Sequence, residues 1–302
     1  MTLDIAQLEV FRVNSVGQEC KVGRLAQANQ HVYFQYDQHY LEHGHSLSPF
    51  RLKFLSELQP SLDKAQALHG VFSDSLPDGW GRLLMDRWLR QQGYVPQHIG
   101  LMQRLALVGE KGVGALRYRP NYDIADNELL DLFQLGQQAQ AIFEGHSEQV
   151  LAQLVHVASS GGARPKALVY LNPDNQHMIS QPQQGYQPWL VKFTSNNLAL
   201  GHDEGRCEAA YLTMAAQVGI SVPEWRLYQH KQQAWLMLKR FDAPSDLGRW
   251  HMHSAAGLLD ANFREPSLDY EDLIKVTAKL CQSMAAAKQQ LLRALFNLYR
   301  SE

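Results

Sequence analysis

The residues whose types and spacing could do chemistry gather in the second half of the chain. Ser159-Ser160-Gly161-Gly162-Ala163-Arg164-Pro165-Lys166 is a run of small residues that ends in two cations around a proline. Adjacent glycines let backbone N–H groups close on phosphate oxygens with no Cβ in the way. Lys166 would add charge, and Pro165 would stiffen the exit. The run matches neither G-x-x-x-x-G-K-[ST] nor G-x-G-x-x-G, so taken alone it favours an ordinary helix-to-strand turn. Lys192 is a cation inside Trp189-Leu190-Val191-Lys192-Phe193, a run otherwise suited to burial. It either reaches solvent along its own stem or is held in a cleft against phosphates and a helix carboxylate. Glu208 is the candidate carboxylate, because it shares a helical face with Tyr211, Leu212 and Ala215. An inward carboxylate calls for a partner cation. Leu238-Lys239-Arg240-Phe241-Asp242 reads either as a hinge whose backbone meets a purine or as a strand exit with solvated charges. His39, His43 and His45 have a faintly metal-like spacing, but they stand in a polar turn without a carboxylate-rich setting, and no metal site is expected there.

The elements that must position these residues follow from periodicity. Leu8–Val13 and His31–Tyr36 alternate as strands, with turns expected at Gly17 and Gly23. Leu76-Pro77-Asp78-Gly79 is turn chemistry that opens a helix through Leu84 and Trp88 to Gly93. Leu105–Tyr118, broken by three glycines, predicts a hairpin. Leu129–Phe143 and Ser147–Ala158 predict helices, with Gly136 weakening the first. Strands are expected at Ala167–Leu171, Trp189–Phe193 and Ala234–Leu238, and a helix at Arg206–Val218. Ser267–Arg300 reads as helical almost throughout, softest at Ala285–Ala287. The chain is therefore of the α+β class, and its 302 residues suit two cores, divided as residues 1–120 and 121–302.

Twenty-eight basic against 30 acidic residues exclude a protein that coats nucleic acid by its own charge. Three scattered cysteines form neither a disulfide framework nor a zinc site. An N-terminus carrying Asp4 and Glu9, and the lack of any run of ~18–20 apolar residues, argue against a signal peptide and a membrane span. A cytoplasmic protein is expected.

Together these pieces resemble the HipA family, the serine/threonine kinase toxins of bacterial HipA–HipB toxin–antitoxin pairs, over essentially the whole chain. The front half carries Gly23-Arg24-Leu25, Leu47-Ser48-Pro49 and above all Ser75-Leu76-Pro77-Asp78-Gly79-Trp80-Gly81. The back half carries Ser159 to Lys166, Leu190-Val191-Lys192-Phe193, Glu208 and Lys239-Arg240-Phe241-Asp242. The resemblance implies a β-rich N-terminal subdomain followed by a protein-kinase-like lobe, with ATP and Mg2+ as cofactors. It implies Ser159, with Ser160 beside it, as the autophosphorylated residue. Gly161, Gly162, Ala163, Arg164 and Lys166 would form the phosphate loop, Lys192 would anchor ATP, and Arg240 and Phe241 would lie at the adenine hinge. Its implied partners are a HipB-like helix-turn-helix antitoxin, which carries the DNA contact, and an aminoacyl-tRNA synthetase as substrate. Family members continue past a phenylalanine-asparagine pair into an aspartate-x-histidine-x-x-asparagine loop and a metal-binding aspartate. Here the match reaches Phe296-Asn297, and the sequence stops at Glu302. The expectation is a kinase toxin truncated before its catalytic loop, able to bind ATP without efficient transfer. The alternative is a non-catalytic subunit that binds the antitoxin and modulates its DNA complex. Leu291, Leu295, Phe296 and Tyr299 would then leave an apolar stripe and favour self-association.

Overall fold

The computed structural model describes residues 4–28, 31–61, 68–122, 129–157, 161–230, 233–262, 265 and 267–300. Two five-stranded antiparallel sheets organise the chain, which is of the α+β class. The first comprises β1 (Gln7–Val13), β2 (Glu19–Ala28), β3 (His31–Tyr36), β4 (Gln59–Pro60) and β5 (Leu116–Arg119), in the order β4-β3-β2-β1-β5. Along β3, Val32, Phe34 and Tyr36 are buried while the residues between them are half-buried, the period of two that gave the strand away. Gly17 turns the chain at φ 90°. Gly23 does not. It sits inside β2 opposite Tyr36, where a side chain would strike the Gln35 carbonyl and the Phe34 ring.

Four helices follow or interrupt this sheet: α1 (Gln38–His43), α2 (Gly70–Ser73), α3 (Gly79–Gln91) and α4 (Leu101–Val108). The hairpin expected over Leu105–Tyr118 is instead the end of α4 followed by β5. Gly100 and Gly109 flank α4 rather than break it, and Met102, Leu105 and Ala106 bury into the first core. α3 runs as expected from Asp78 to the turn at Gly93 (φ 81°), and it buries Trp80, Leu84, Trp88 and Leu89 in the second core.

After α5 (Leu132–Phe143) and α6 (Ala152–Val157), the second sheet is built from β6 (Lys166–Leu171), β7 (Met178–Ile179), β8 (Gln187–Lys192), β9 (Trp225–His230) and β10 (Gln233–Lys239), in the order β7-β6-β8-β10-β9. Asp131 caps α5 by accepting from the Phe133 and Gln134 N–H groups at 2.9 and 3.1 Å. Gly136 serves packing here, because any side chain on it would enter the Trp235 indole. Ala167, Val169, Trp189, Val191, Trp235 and Met237 turn to this core. Lys192 of β8 and Leu236 and Leu238 of β10 face the other way, toward α7 (Glu204–Gln217), where Gly205 lets the helix backbone approach the Ala234 carbonyl.

The tail holds α8 (Ala255–Leu259), α9 (Tyr270–Cys281) and α10 (Met284–Arg300). Its break falls at Gln282 (φ 47°) and not at Ala285–Ala287, which continue α10 as strong helix formers. Leu291, Leu295 and Leu298 are exposed on α10. No helix among the described residues is long and apolar enough to cross a membrane.

Candidate functional site

The loop before β6 is held by its neighbours. Gly162 stands at φ 99°, a conformation suited to glycine. Its N–H donates to the Asp78 carboxylate, and its carbonyl accepts from the Trp80 N–H at 3.0 Å. The Trp80 indole N–H donates to the Lys166 carbonyl at 3.0 Å, and Lys166 Nζ donates to the Gly161 carbonyl at 2.7 Å. The proline-aspartate-glycine-tryptophan run and the glycine loop, far apart in sequence, are thus in direct contact.

Pairing of β6 with β8 sets Lys166 directly across from Lys192. Two ammonium groups on one face repel, and burial adds to the penalty. The Lys166 pKa is accordingly lowered, first by burial and then by Lys192, while Asp78 and Glu208 act in the opposite sense. Lys192 Nζ donates to Glu208 Oε1 at 2.8 Å, and Arg164 is ion-paired with Glu204. These groups surround a cavity of ≈ 330 Å³ with a cationic wall. A second cavity of ≈ 320 Å³ shares Lys192 and Glu208 with the first. It continues along Tyr211, Leu212 and Ala215 of α7, faces Leu236 and Leu238 of β10, and is closed by Arg293, Phe296 and Asn297 of α10. The two form one cleft, cationic at one end and apolar at the other, with the Lys192–Glu208 pair at the waist. Each cavity reaches the ~300 Å³ at which ligand pockets begin.

Glu208, Tyr211, Leu212 and Ala215 line the cleft as a single helical face. Glu204, one turn earlier on that face, was missed, although its spacing from Glu208 was available. Ser159 and Ser160 lie outside the described residues. Arg240 and Phe241 do not form a cleft wall. Arg240 is buried with its guanidinium on Asp242 at 2.6 and 3.0 Å, and Phe241 is 69% exposed. The reason is the strand's period: Leu236 and Leu238 face α7, and past Lys239 the chain leaves the sheet. Arg240 belongs instead to a buried cluster. The Tyr170 hydroxyl accepts from Arg249 at 2.9 Å and from Arg240 at 3.4 Å, Arg117 lies close by, and Asp242 also accepts from the Gly114 N–H at 2.7 Å. This cluster ties the first sheet to the second.

Two other groupings have the composition of sites. His39, Glu42 and His43 bring ligand atoms within 4.8 Å of one another, all exposed on α1. Ser48 Oγ lies 3.0 Å from His253 Nε2, and Asp74 Oδ2 lies 2.6 Å from His253 Nδ1, the connectivity of a nucleophilic triad. Ser48 is only 2% exposed, and Asp74 also accepts from the N–H and hydroxyl of Ser254, each at 2.7 Å. That chain is a strut between the segments that follow α1 and α2 and the segment leading into α8.

The fold and cleft define an α+β protein with a cationic loop beside an ion-paired strand lysine. A family model described as HipA N-terminal domain matches residues 16–119, and one described as HipA-like C-terminal domain matches residues 158–301. The chain belongs to the HipA family. Among solved structures, it is similar to HipA of Shewanella oneidensis MR-1 in a complex with HipB and operator DNA, with a TM-score of 0.61 and 16% identity over 95% of this chain and 68% of that one. No curated protein matches the sequence.

Proposed function

We propose that the cleft binds ATP, with the triphosphate against Gly161–Lys166 and Lys192 and the adenine in the apolar end, as the nucleotide-holding part of a HipA-type serine/threonine kinase toxin. The observation that carries this reading is the Lys192–Glu208 pair at 2.8 Å, placed where the cationic and apolar cavities meet. A strand lysine fixed by a helix glutamate is how protein kinases hold the ATP phosphates. Mg2+ keeps several waters and takes one or two carboxylates beside the phosphates. Glu204 stands at the cavity wall, but Arg164 already holds its carboxylate, so the described lining offers that ion no free carboxylate. Family membership supports the rest of the reading: Ser159 as the autophosphorylated residue, an aminoacyl-tRNA synthetase as substrate, a cytoplasmic setting, and a HipB-like antitoxin as the DNA-contacting partner. The two carboxylates that line the cleft among the described residues, Glu204 and Glu208, are both ion-paired, which favours binding without efficient transfer in this polypeptide. A non-catalytic, antitoxin-binding subunit is the second reading on the same ground.

Titration with ATP and with adenosine tests the site. Lys192→Ala is expected to weaken ATP at least about tenfold, the scale of a lost charged hydrogen bond, and to leave adenosine nearly unchanged. Equal ATP affinity in both proteins would defeat the reading. Labelled ATP with Mg2+ tests the chemistry, the expected result being no more label on Ser159 than in the Lys192→Ala control. The exposed leucines of α10 favour self-association. Sedimentation should then show a concentration-dependent oligomer that Leu291→Glu with Leu295→Glu reduces to monomer.

A further inference from the structure

We propose that Asp78 and Trp80 are positioning residues that latch the loop from behind, so that the start of α3 sets the shape of the cationic wall. What the loop holds rests on the nucleotide reading above; how it is held does not. Asp78 occupies the N-cap of α3, where an aspartate ordinarily accepts from an N–H of its own first turn. It makes no such bond. Its Oδ1 accepts instead from the N–H of Gly162, 84 residues along the chain. In return, the Gly162 carbonyl accepts at 3.0 Å from the Trp80 N–H, one of the donors that a helix start leaves unpaired. Both polar groups of one loop peptide residue are thus satisfied by a single helix terminus.

The contact is close enough to constrain sequence on both sides. A Cβ on Gly79 would lie 2.8 Å from Ala163 Cα and from the Gly162 carbonyl oxygen, so residue 79 has no room for a side chain. Trp80, 1% exposed in the second core, adds the second anchor through its indole N–H on the Lys166 carbonyl at 3.0 Å. With Gly162 and Lys166 fixed, the intervening Ala163 and Arg164 are presented to the cavity. Gly162 lines that cavity, whereas Asp78 stands outside its wall. The carboxylate therefore grips the loop without competing for the phosphate position.

The test uses the full chain and two readouts: amide hydrogen exchange of the peptide spanning residues 161–166 without nucleotide, and the ratio of ATP to adenosine affinity. Asp78→Ala is expected to speed loop exchange about tenfold or more and to lower the affinity ratio by a similar factor, with adenosine binding unmoved. Asp78→Asn, which keeps an acceptor oxygen, should recover part of both effects. Trp80→Phe keeps the ring in the core, removes the second anchor, and should act in the same direction. Unchanged exchange in β8 and α5 certifies the fold, and if Asp78→Ala does not fold, Trp80→Phe decides. Unaltered loop exchange in a folded variant overturns the proposal. Should the wild-type chain bind no ATP, the nucleotide reading fails while the exchange result still decides the latch.

Discussion

Lys166 and Lys192 stand opposite each other on neighbouring strands, yet only Lys192 has a carboxylate within hydrogen-bond reach, at 2.8 Å. Lys166 bonds a neutral carbonyl, is buried, and has its pKa lowered below the usual 10.5 by that burial and then by Lys192. It therefore sheds its proton before an ordinary lysine would. On the nucleotide reading proposed above, ATP affinity is expected to decline as pH rises through this lowered value, because one charge at the cationic wall disappears there. Lys166→Arg, always charged, should abolish the alkaline decline. A titration of affinity against pH in the two proteins checks this, and parallel curves would remove Lys166 from the phosphate site.

Elements were legible where their period was uninterrupted. The face of α7 that carries Glu208 to Ala215 could be read from spacing alone, as could β3 and the start of α3 at Asp78. α4 was hidden because it fills only the eight residues between two glycines. β9 was hidden because nearly all its residues are half-buried, which erases alternation. Arg240 and Phe241 fall outside the two cavities because linear sequence does not show where a strand leaves its sheet. No spacing rule reaches from Asp78 to Gly162. α6 carries a separate consequence. His156 is buried there with both ring nitrogens unpartnered among the described residues, and burial, with Lys111 second, pushes its pKa from 6.5 down to about 3. As pH falls below 6.5 the unfolded chain gains a proton that the folded chain refuses, so stability falls between 6.5 and about 3. The loss is on the order of 3 kcal/mol by about pH 4. His156→Leu should flatten this slope in denaturant melts taken across that range.

The molecule as a whole depends on the cluster where its two sheets meet. Arg117, Arg240 and Arg249 are buried there, and Asp242 is the carboxylate that Arg240 holds. Burial by itself would raise the Asp242 pKa, but the Arg240 hydrogen bonds and charge outweigh it and hold the carboxyl below its ordinary value. Its stabilising contribution is therefore present at neutral pH and is lost in acid as the carboxylate takes a proton. Asp242→Asn leaves buried guanidiniums uncompensated and should destabilise the chain by about 3–5 kcal/mol, read from equilibrium unfolding.

The same cluster gives the protein an internal dye. Although burial alone would raise it, the Tyr170 phenol is held below its usual pKa by the charges of Arg240, Arg249 and Arg117, whereas burial pushes Tyr36 up to about 12 and Tyr118 higher still. In an alkaline titration followed by phenolate absorption, Tyr170 should ionise ahead of these two tyrosines. Separation of the sheets would take Arg117 on β5 away from Tyr170 while Arg240 stays beside it on the second sheet, so an upward shift in this ionisation reports that the two halves have parted.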